Sequence, residues 1–230
     1  MKNTDGTGAG KRAAGESAAD LVSDGDLVGL GTGSTAAHAI RRLGARVDAG
    51  LDVRGVATSY QSRDLAREAG VPLESLADVR RVDVAIDGAD QVADGDLVKG
   101  GGAAHAREKV VDSAADRFVV VADDSKLADA LSHPVPVEVL PDARATVREA
   151  LRDAGGEPEL RAAERKDGPV VTDNGNLVFD CAFGTIEDPG GLARDLSTVP
   201  GVVEHGLFVG LADEVHVGTA DGGVATRSVR

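Results

Sequence analysis

Eleven consecutive residues, Lys99-Gly100-Gly101-Gly102-Ala103-Ala104-His105-Ala106-Arg107-Glu108-Lys109, bring a cation, three glycines and a carboxylate into one short run. Glycines reach backbone conformations closed to other residues, and the alanines and charges behind them favour a helix, so a glycine turn feeds a helix N-terminus. Such a turn presents N–H donors to an anion. Lys99 stands immediately before it, and Glu108 lies about one and a half turns into the helix. The set can hold an anionic group and bring a carboxylate to it. Taken alone, the stretch also fits a solvent-facing glycine loop followed by an ordinary charged helix.

A second stretch offers related chemistry. Asp26–Leu30 reads as a strand, Gly31-Thr32-Gly33-Ser34-Thr35 as a loop and Ala36–Leu43 as a helix. Strand, hydroxyl-rich glycine loop and helix N-terminus together make a phosphate cradle, with backbone N–H groups and the hydroxyls of Thr32, Ser34 and Thr35 as donors. Gly31, Gly33 and Ala36 also match the dinucleotide fingerprint, which requires an acid at the end of the second strand to bind a ribose. That strand, Leu51–Ala57, ends in Thr58-Ser59 and carries its acid, Asp52, at the wrong end. A smaller phosphorylated ligand therefore fits better than a nicotinamide dinucleotide.

A third stretch follows the apolar strand Val82–Ile86, where Asp87-Gly88-Ala89-Asp90 puts two carboxylates just past a strand end. Ligands of parallel α/β sheets bind at that edge. Read without its strand, the tetrapeptide is an ordinary Asp/Gly turn. The strand Arg117–Ala122 likewise ends in Asp123-Asp124-Ser125-Lys126, setting a lysine at the same edge.

The elements that must position these residues are legible in order. Lys11–Val22 reads as a helix closed at Asp24-Gly25, Tyr60–Ala69 as another ended by Gly70, and Asp96–Val98 as a strand delivering Lys99. From His133 the texture changes. Pro134–Val139 is a strand, Asp142–Asp153 a helix, Glu157–Ala162 a strand, and Val170–Phe179 carries an Asn-Gly hairpin turn. A helix over Gly190–Leu196 and a strand from Gly201 complete a β-α-β-β-α-β order, the split βαβ arrangement. Glu214–Val217 and Val224–Val229 read as strands returning to the first sheet. The fold class expected is α/β: a doubly wound, mostly parallel sheet over residues 1–132 and 207–230, with a ferredoxin-like split βαβ domain inserted over 133–206.

Composition narrows the function. The formal charge of −14 argues against nucleic acid and against an anionic membrane surface as partners. Lysine occurs at only six positions. An acidic, lysine-poor chain with small core residues suggests adaptation to high salt, and gives the few lysines particular jobs. Cys181 is the sole cysteine, so no internal disulfide forms. The longest apolar run, around Phe118–Ala122, is far too short to span a bilayer, and the N-terminus has no apolar h-region, so a cytoplasmic protein is expected. The histidines, at 38, 105, 133, 205 and 216, show no metal-ligand spacing, and no metal is expected.

Four co-linear motifs, Gly31–Ala36, Asp87–Asp90, Lys99–Ala104 with Arg107-Glu108-Lys109, and Val171–Asn176, together with Pro200–Val203 and Gly206–Phe208, closely resemble the ribose-5-phosphate isomerase A family. The likeness runs from about Lys11 to the C-terminus. One departure is visible: the family's Asp-Gly-Ala-Asp-Glu ends here in Gln91. The resemblance implies interconversion of D-ribose 5-phosphate and D-ribulose 5-phosphate in the pentose phosphate pathway, without cofactor or metal, by a homodimer or homotetramer. It implies Glu108 as the base that moves a proton between C2 and C1 through an enediolate, with Asp87 serving ring opening and proton transfer between oxygens beside Asp90. Lys99 and the amides of Gly100, Gly101 and Gly102 would stabilise the oxyanion. Gly88 and Ala89 would line the sugar, and Thr32, Gly33, Ser34, Thr35, Lys126 and Lys11 would hold the phosphate. The rival reading is a non-catalytic sugar-phosphate sensor. Such sensors usually carry a DNA-binding segment, for which this N-terminus is too short and the charge wrong.

Overall fold

The computed structural model describes residues 7–229. In chain order they form α1 (Gly8–Ala19), β1 (Leu27–Leu30), α2 (Ala36–Asp48), β2 (Arg54–Ala57), α3 (Tyr60–Glu68), β3 (Leu73–Glu74), β4 (Val82–Gly88), β5 (Gln91–Ala93), β6 (Asp96–Val98) and α4 (His105–Ser113). Then come β7 (Ala115–Asp123), β8 (Val135–Val139), α5 (Arg144–Asp153), β9 (Glu157–Leu160), β10 (Leu177–Ala182), α6 (Pro189–Ser197), β11 (Val202–His205), β12 (Leu207–Phe208), β13 (Glu214–Gly218) and β14 (Val224–Ser228). No described helix is long and apolar enough to cross a membrane.

The chain divides into two compact units. One contains the described residues through Ala89, Arg107–Leu127 and the chain from Leu211 onward; the other contains Asp90–Ala106 and Ala128–Gly210. The Lys99–Gly102 turn thus belongs with the split βαβ elements.

The first unit is built on a seven-stranded sheet in the order β14-β13-β7-β4-β1-β2-β3, parallel throughout except for the edge strand β14. All four residues of β1 are buried, as expected of a parallel strand covered on both faces. One core of this unit is aliphatic, with Val28, Leu30, Ile40, Leu43, Ile86 and Val119 at its centre. Truncating such a side chain, Leu43→Ala for instance, costs about 2–5 kcal/mol. The chain leaves β1 towards β2 on one side while β4 lies on the other, which opens a crevice at the C-terminal ends of β1 and β4.

The second unit has a four-stranded antiparallel sheet in the order β11-β8-β10-β9, with α5 and α6 supplying Val147, Leu151 and Leu196 to its core. A small sheet, β12-β6-β5, completes it.

Local departures from the sequence reading have identifiable causes. The first helix starts at Gly8 because Thr7 caps it, its hydroxyl accepting from Gly10 N–H at 3.2 Å. The helix expected from Asp142 begins as a 3₁₀ turn over Pro141–Ala143 and becomes α-helical at Arg144. The hairpin around Asn174-Gly175 has only one full strand, β10; its other arm makes isolated bridges at Pro169 and Val171. Its side chains are drawn elsewhere: Thr172, Asn174 and Asn176 donate to Oε1 of the fully buried Glu138 at 2.8, 3.0 and 2.8 Å. A buried carboxylate needs such donors more than the hairpin needs a second strand. The strands β3, β5 and β12, two or three residues each, are too short to leave a period in the sequence.

Candidate active site

In the parallel-sheet unit the site begins where β1 and β4 end. Leu30 is in register with Ile86, and Gly31 N–H continues the ladder to Ile86 O at 3.0 Å, which sets Gly31 level with Asp87. The carboxylate of Asp87 is fully buried, and its Oδ1 accepts from Thr32 N–H at 3.0 Å and Gly88 N–H at 2.7 Å. Gly31 is obligatory here, because a Cβ in its place would be driven into that carboxylate.

The phosphate loop is more differentiated than its composition suggests. Thr32 Oγ1 lies 2.7 Å from Ser59 Oγ and 2.9 Å from Thr58 Oγ1, so the hydroxyls expected at two strand ends form one cluster that joins the loops. Ser59 also caps α3 through Ser62. Gly33 takes φ +111°, Ser34 is exposed and Thr35 is buried. Ala37 and His38 N–H donate to Gly33 O and Thr35 O at 3.0 Å each. The donors left at the mouth of α2, among the described residues, include the amides of Gly33–Ala36 and the Ser34 hydroxyl.

The unit brings three further expected residues to this edge. Helix α1 packs on α2 through Gly15, whose Cβ would meet Thr35 O at 2.7 Å; Lys11 lies one turn earlier, where α1 also passes Gly218 at the end of β13. The His38 imidazole is held below its ordinary pKa, first by burial and then by Arg41, Arg12 and Lys11 against the opposing charge of Glu16. His38, in the first turn of α2, thus feels three cations and one carboxylate. Lys126, buried, closes the turn Asp124–Lys126 that follows β7, and Asp123 caps that turn by accepting from Ser125 N–H at 3.1 Å.

Glu108 reaches the same edge by way of α4. Val82 N–H donates to Ala114 O at 3.0 Å, so the C-terminal end of α4 lies at the start of β4. Three residues earlier, Val111 packs on β1, since a Cβ on Gly29 would meet its Cγ1 at 2.6 Å. One more turn back carries Glu108, 4% exposed, to the level where β1 ends.

The other unit holds the remaining expected residues around the glycine turn. Lys99 N–H donates to Gly206 O at 2.8 Å, and its side chain, 2% exposed, places Nζ 5.2 Å from the Phe208 ring centroid. Gly100 takes φ +107°, and a Cβ there would meet the buried His105 ring at 2.7 Å; His105 Nε2 lies 3.3 Å from Glu204 O. Gly101 N–H donates to Asp90 Oδ2 at 2.7 Å. Ala103 N–H closes the turn on Gly100 O at 2.9 Å, with Ala103 itself at φ +59°. Gly102 lies within the same turn.

Gln91 has a definite task. Its Oε1 accepts from Ser132 and His133 N–H at 2.7 and 2.8 Å, and its Nε2 lies 3.2 Å from Ser132 Oγ. It anchors a loop, and a glutamate could not donate to that hydroxyl.

Arg161, Asp180 and His105 as parts of the turn's support escape sequence reasoning. Arg161 forms a bidentate pair with Asp180, with Nε 2.8 Å from Oδ2 and Nη2 on Oδ1, and its Nη1 donates to Gly100 O at 2.9 Å. Nothing in spacing marks Arg161 and Asp180, because the register of β9 on β10 brings them together. No group of three or more potential metal ligands occurs among the described residues.

Comparison with known proteins adds an independent line. The family model for ribose 5-phosphate isomerase A (phosphoriboisomerase A) matches residues 54–222. The chain is similar to the ribose-5-phosphate isomerase A of Halorubrum lacusprofundi, at 67% identity over 96% of this chain and 98% of the relative, and of Haloarcula marismortui, at 70% over 94% and 95%. Its fold is similar to ribose 5-phosphate isomerase A of Methanocaldococcus jannaschii, at TM-score 0.90 and 45% identity over 95% of this chain and 97% of that one. It is equally similar to a D-ribose-5-phosphate isomerase solved in complex with phospho-erythronic acid, at TM-score 0.91 and 43% identity over 95% and 97%.

Proposed function

The chain belongs to the ribose 5-phosphate isomerase A family, and from that premise we propose how its residues interconvert D-ribose 5-phosphate and D-ribulose 5-phosphate. The observation that carries the reading is the meeting of a buried carboxylate, Glu108, with the phosphate loop and Asp87 at one edge of the parallel sheet.

Isomerisation moves a proton between two adjacent carbons while their oxygens exchange roles. Glu108 removes the proton from C2 of the open-chain aldose and returns it to C1. Its burial supports this role by excluding water from the proton. The intermediate is an enediolate, whose negative charge needs preorganised positive charge and N–H donors. Lys99 and the amides of Gly100 and Gly102 supply these, whereas the Gly101 N–H, expected to join them, is committed to Asp90. Asp87, locked by Thr32 and Gly88, serves ring opening and proton movement between O1 and O2, with Asp90 assisting. Phosphate is held by the amides and hydroxyl of the Gly33–Thr35 loop, with Lys11 and Lys126 supplying charge; Thr32 acts there through its place in the hydroxyl cluster. Gly88 and Ala89, which lie between Asp87 and Asp90 in sequence, line the sugar in this reading. Phospho-erythronic acid, bound in one relative, carries a phosphate and a carboxylate, and the carboxylate's two oxygens imitate the charged O1 and O2 of an enediolate.

A homodimer or homotetramer is part of the same reading. It is supported by exposed Leu140, Val171 and Val203, which gather where Val139 pairs with Leu177 and Val202 at one end of the small sheet. A cytoplasmic place follows from the substrate, since a charged sugar phosphate is retained where it is made.

The direct test is formation of ribulose 5-phosphate from ribose 5-phosphate, run with EDTA present. Turnover unaffected by the chelator is expected. Tight binding of ribose 5-phosphate without turnover would instead favour a sensor.

A further inference from the structure

The glycine turn is held from behind by a buried ion pair, and the hydrogen bonds run in series. Asp180 binds the guanidinium of Arg161 on two sides, and Arg161 Nη1 donates to Gly100 O at 2.9 Å, with Gly101 O at a longer 3.4 Å. Gly100 C=O and Gly101 N–H are the two ends of one peptide group. That N–H donates to Asp90 Oδ2 at 2.7 Å. The order is therefore carboxylate, guanidinium, peptide, carboxylate.

Arg161 and Asp180 are 11% and 19% exposed at the side chain, so little solvent screens the pair. Burial pushes the Asp180 carboxyl up, but the hydrogen bonds and charge of Arg161 outweigh it and hold the group below its ordinary value. A cation on a peptide oxygen polarises the amide and strengthens the bond its N–H donates. It also fixes the plane of a peptide whose first residue sits at φ +107°, sharing the Gly100 carbonyl with the Ala103 N–H that closes the turn at 2.9 Å.

We propose that Arg161, anchored by Asp180, is a positioning residue for the reaction: through the Gly100–Gly101 peptide it fixes the Asp90 carboxylate. This rests on the function proposed above, in which Asp90 serves the sugar. Arg161 itself touches no reacting atom. It meets the turn at the Gly100 carbonyl and faces an open cleft lined also by Gly102, Pro134, Glu159 and Arg165.

Arg161→Ala is therefore expected to lower kcat by about 10²-fold, the scale of a slightly misplaced catalytic group. KM for ribose 5-phosphate and the binding of inorganic phosphate should change less than about threefold, because the phosphate residues lie in the other unit. Arg161→Lys should not recover the rate, since one ammonium cannot bridge Asp180 and Gly100 O as a planar fork does. Asp180→Asn keeps the shape and provides a milder variant should Arg161→Ala fold poorly; its kcat should also fall, with KM held. The double variant Arg161→Ala/Asp90→Asn should be no slower than Asp90→Asn, since both act through one carboxylate. An Arg161→Ala kcat within twofold of the parent, or losses that multiply in the double variant, would overturn the inference. If Arg161→Ala is fast while Asp90→Asn is slow, only the inference fails. If Asp90→Asn itself turns over at the parent rate, the reading of the site fails and the inference falls with it.

Discussion

Asp87 and Thr32 come from neighbouring strand ends, and the Thr32 N–H donates to Asp87 Oδ1 at 3.0 Å. The residue that opens the hydroxyl run thus serves a carboxylate with its backbone and the Thr58–Ser59 loop with its side chain. In the proposed mechanism, sugar chemistry at Asp87 and phosphate binding at the loop would therefore share one piece of backbone.

That sharing makes Gly31 sensitive. Its replacement by alanine puts a methyl into the Asp87 carboxylate, and relieving the clash must move either Asp87 or Thr32. Overpacking of this kind costs about 1–3 kcal/mol of stability. Gly31→Ala is expected to remain folded by circular dichroism, with a lowered melting midpoint, while kcat falls by about 10²-fold. Rates close to those of the parent would mean that the position of Asp87 does not matter.

The phosphate assignment separates residues that composition alone treats alike. Ser34, exposed at the mouth of α2, should lose roughly one charge-assisted hydrogen bond in Ser34→Ala, raising KM by about tenfold with a smaller change in kcat. Lys126→Met, which keeps the buried stem and removes the charge, should do the same more strongly. The His38 imidazole gives a spectroscopic check, because the cations that now depress it would be offset by a bound dianion. Saturating phosphate should raise its pKa in an NMR titration. An unmoved His38, or a loss confined to kcat in both variants, would place the phosphate elsewhere.

Much of this architecture is legible in the sequence. The doubly wound sheet is legible because strands such as Leu27–Leu30 are buried on both faces and must be wholly apolar, then stop at glycine, where only a close-packed loop fits. Glu108 and Lys99 are legible because scarce lysines and clustered glycines frame them. Arg161 and Asp180 are not. Asp180 pairs with Glu159 across two antiparallel strands, and Arg161, two residues beyond Glu159, meets Asp180 only once that register is set. The role of Thr32 was half legible: its hydroxyl was expected at a phosphate, and the proximity of Thr58 and Ser59 depends on the parallel pairing of β1 and β2.

The charge of −14 makes a separate prediction about stability. Repulsion among surface carboxylates opposes compaction, and screening relieves it as the Debye length shrinks from about 30 Å at 0.01 M salt to about 3 Å at 1 M. Thermal melts across that range should show the midpoint rising with potassium chloride. A flat or falling midpoint would remove high-salt adaptation as the reason for the acidic composition.

The role of Glu108 is the prediction on which the mechanism depends. The helix α4 carries it to the level where β1 ends, with Val111 fixing the helix on Gly29 one turn away, so the side chain has little freedom to be elsewhere. Gln in its place keeps size and shape and removes basicity. Glu108→Gln should retain ribose 5-phosphate binding while kcat falls by about 10²- to 10⁴-fold, the usual contribution of a positioned acid or base. Asp87→Asn should also be slow, through ring opening or oxygen proton transfer rather than through carbon deprotonation. Reaction in D₂O separates these roles. An enediolate route lets solvent deuterium enter C1 of ribulose 5-phosphate, to an extent set by how fast the proton on Glu108 exchanges, whereas a direct hydride shift admits none. NMR of the product, alongside ligand titration of the Glu108→Gln protein, is the measurement. Deuterium at C1 in the parent enzyme together with a slow but binding-competent Glu108→Gln is the expected pair of results. If Glu108→Gln turns over at near the parent rate, the base is another carboxylate, and Asp87, locked to Thr32 at the same edge of the sheet, is the first to examine.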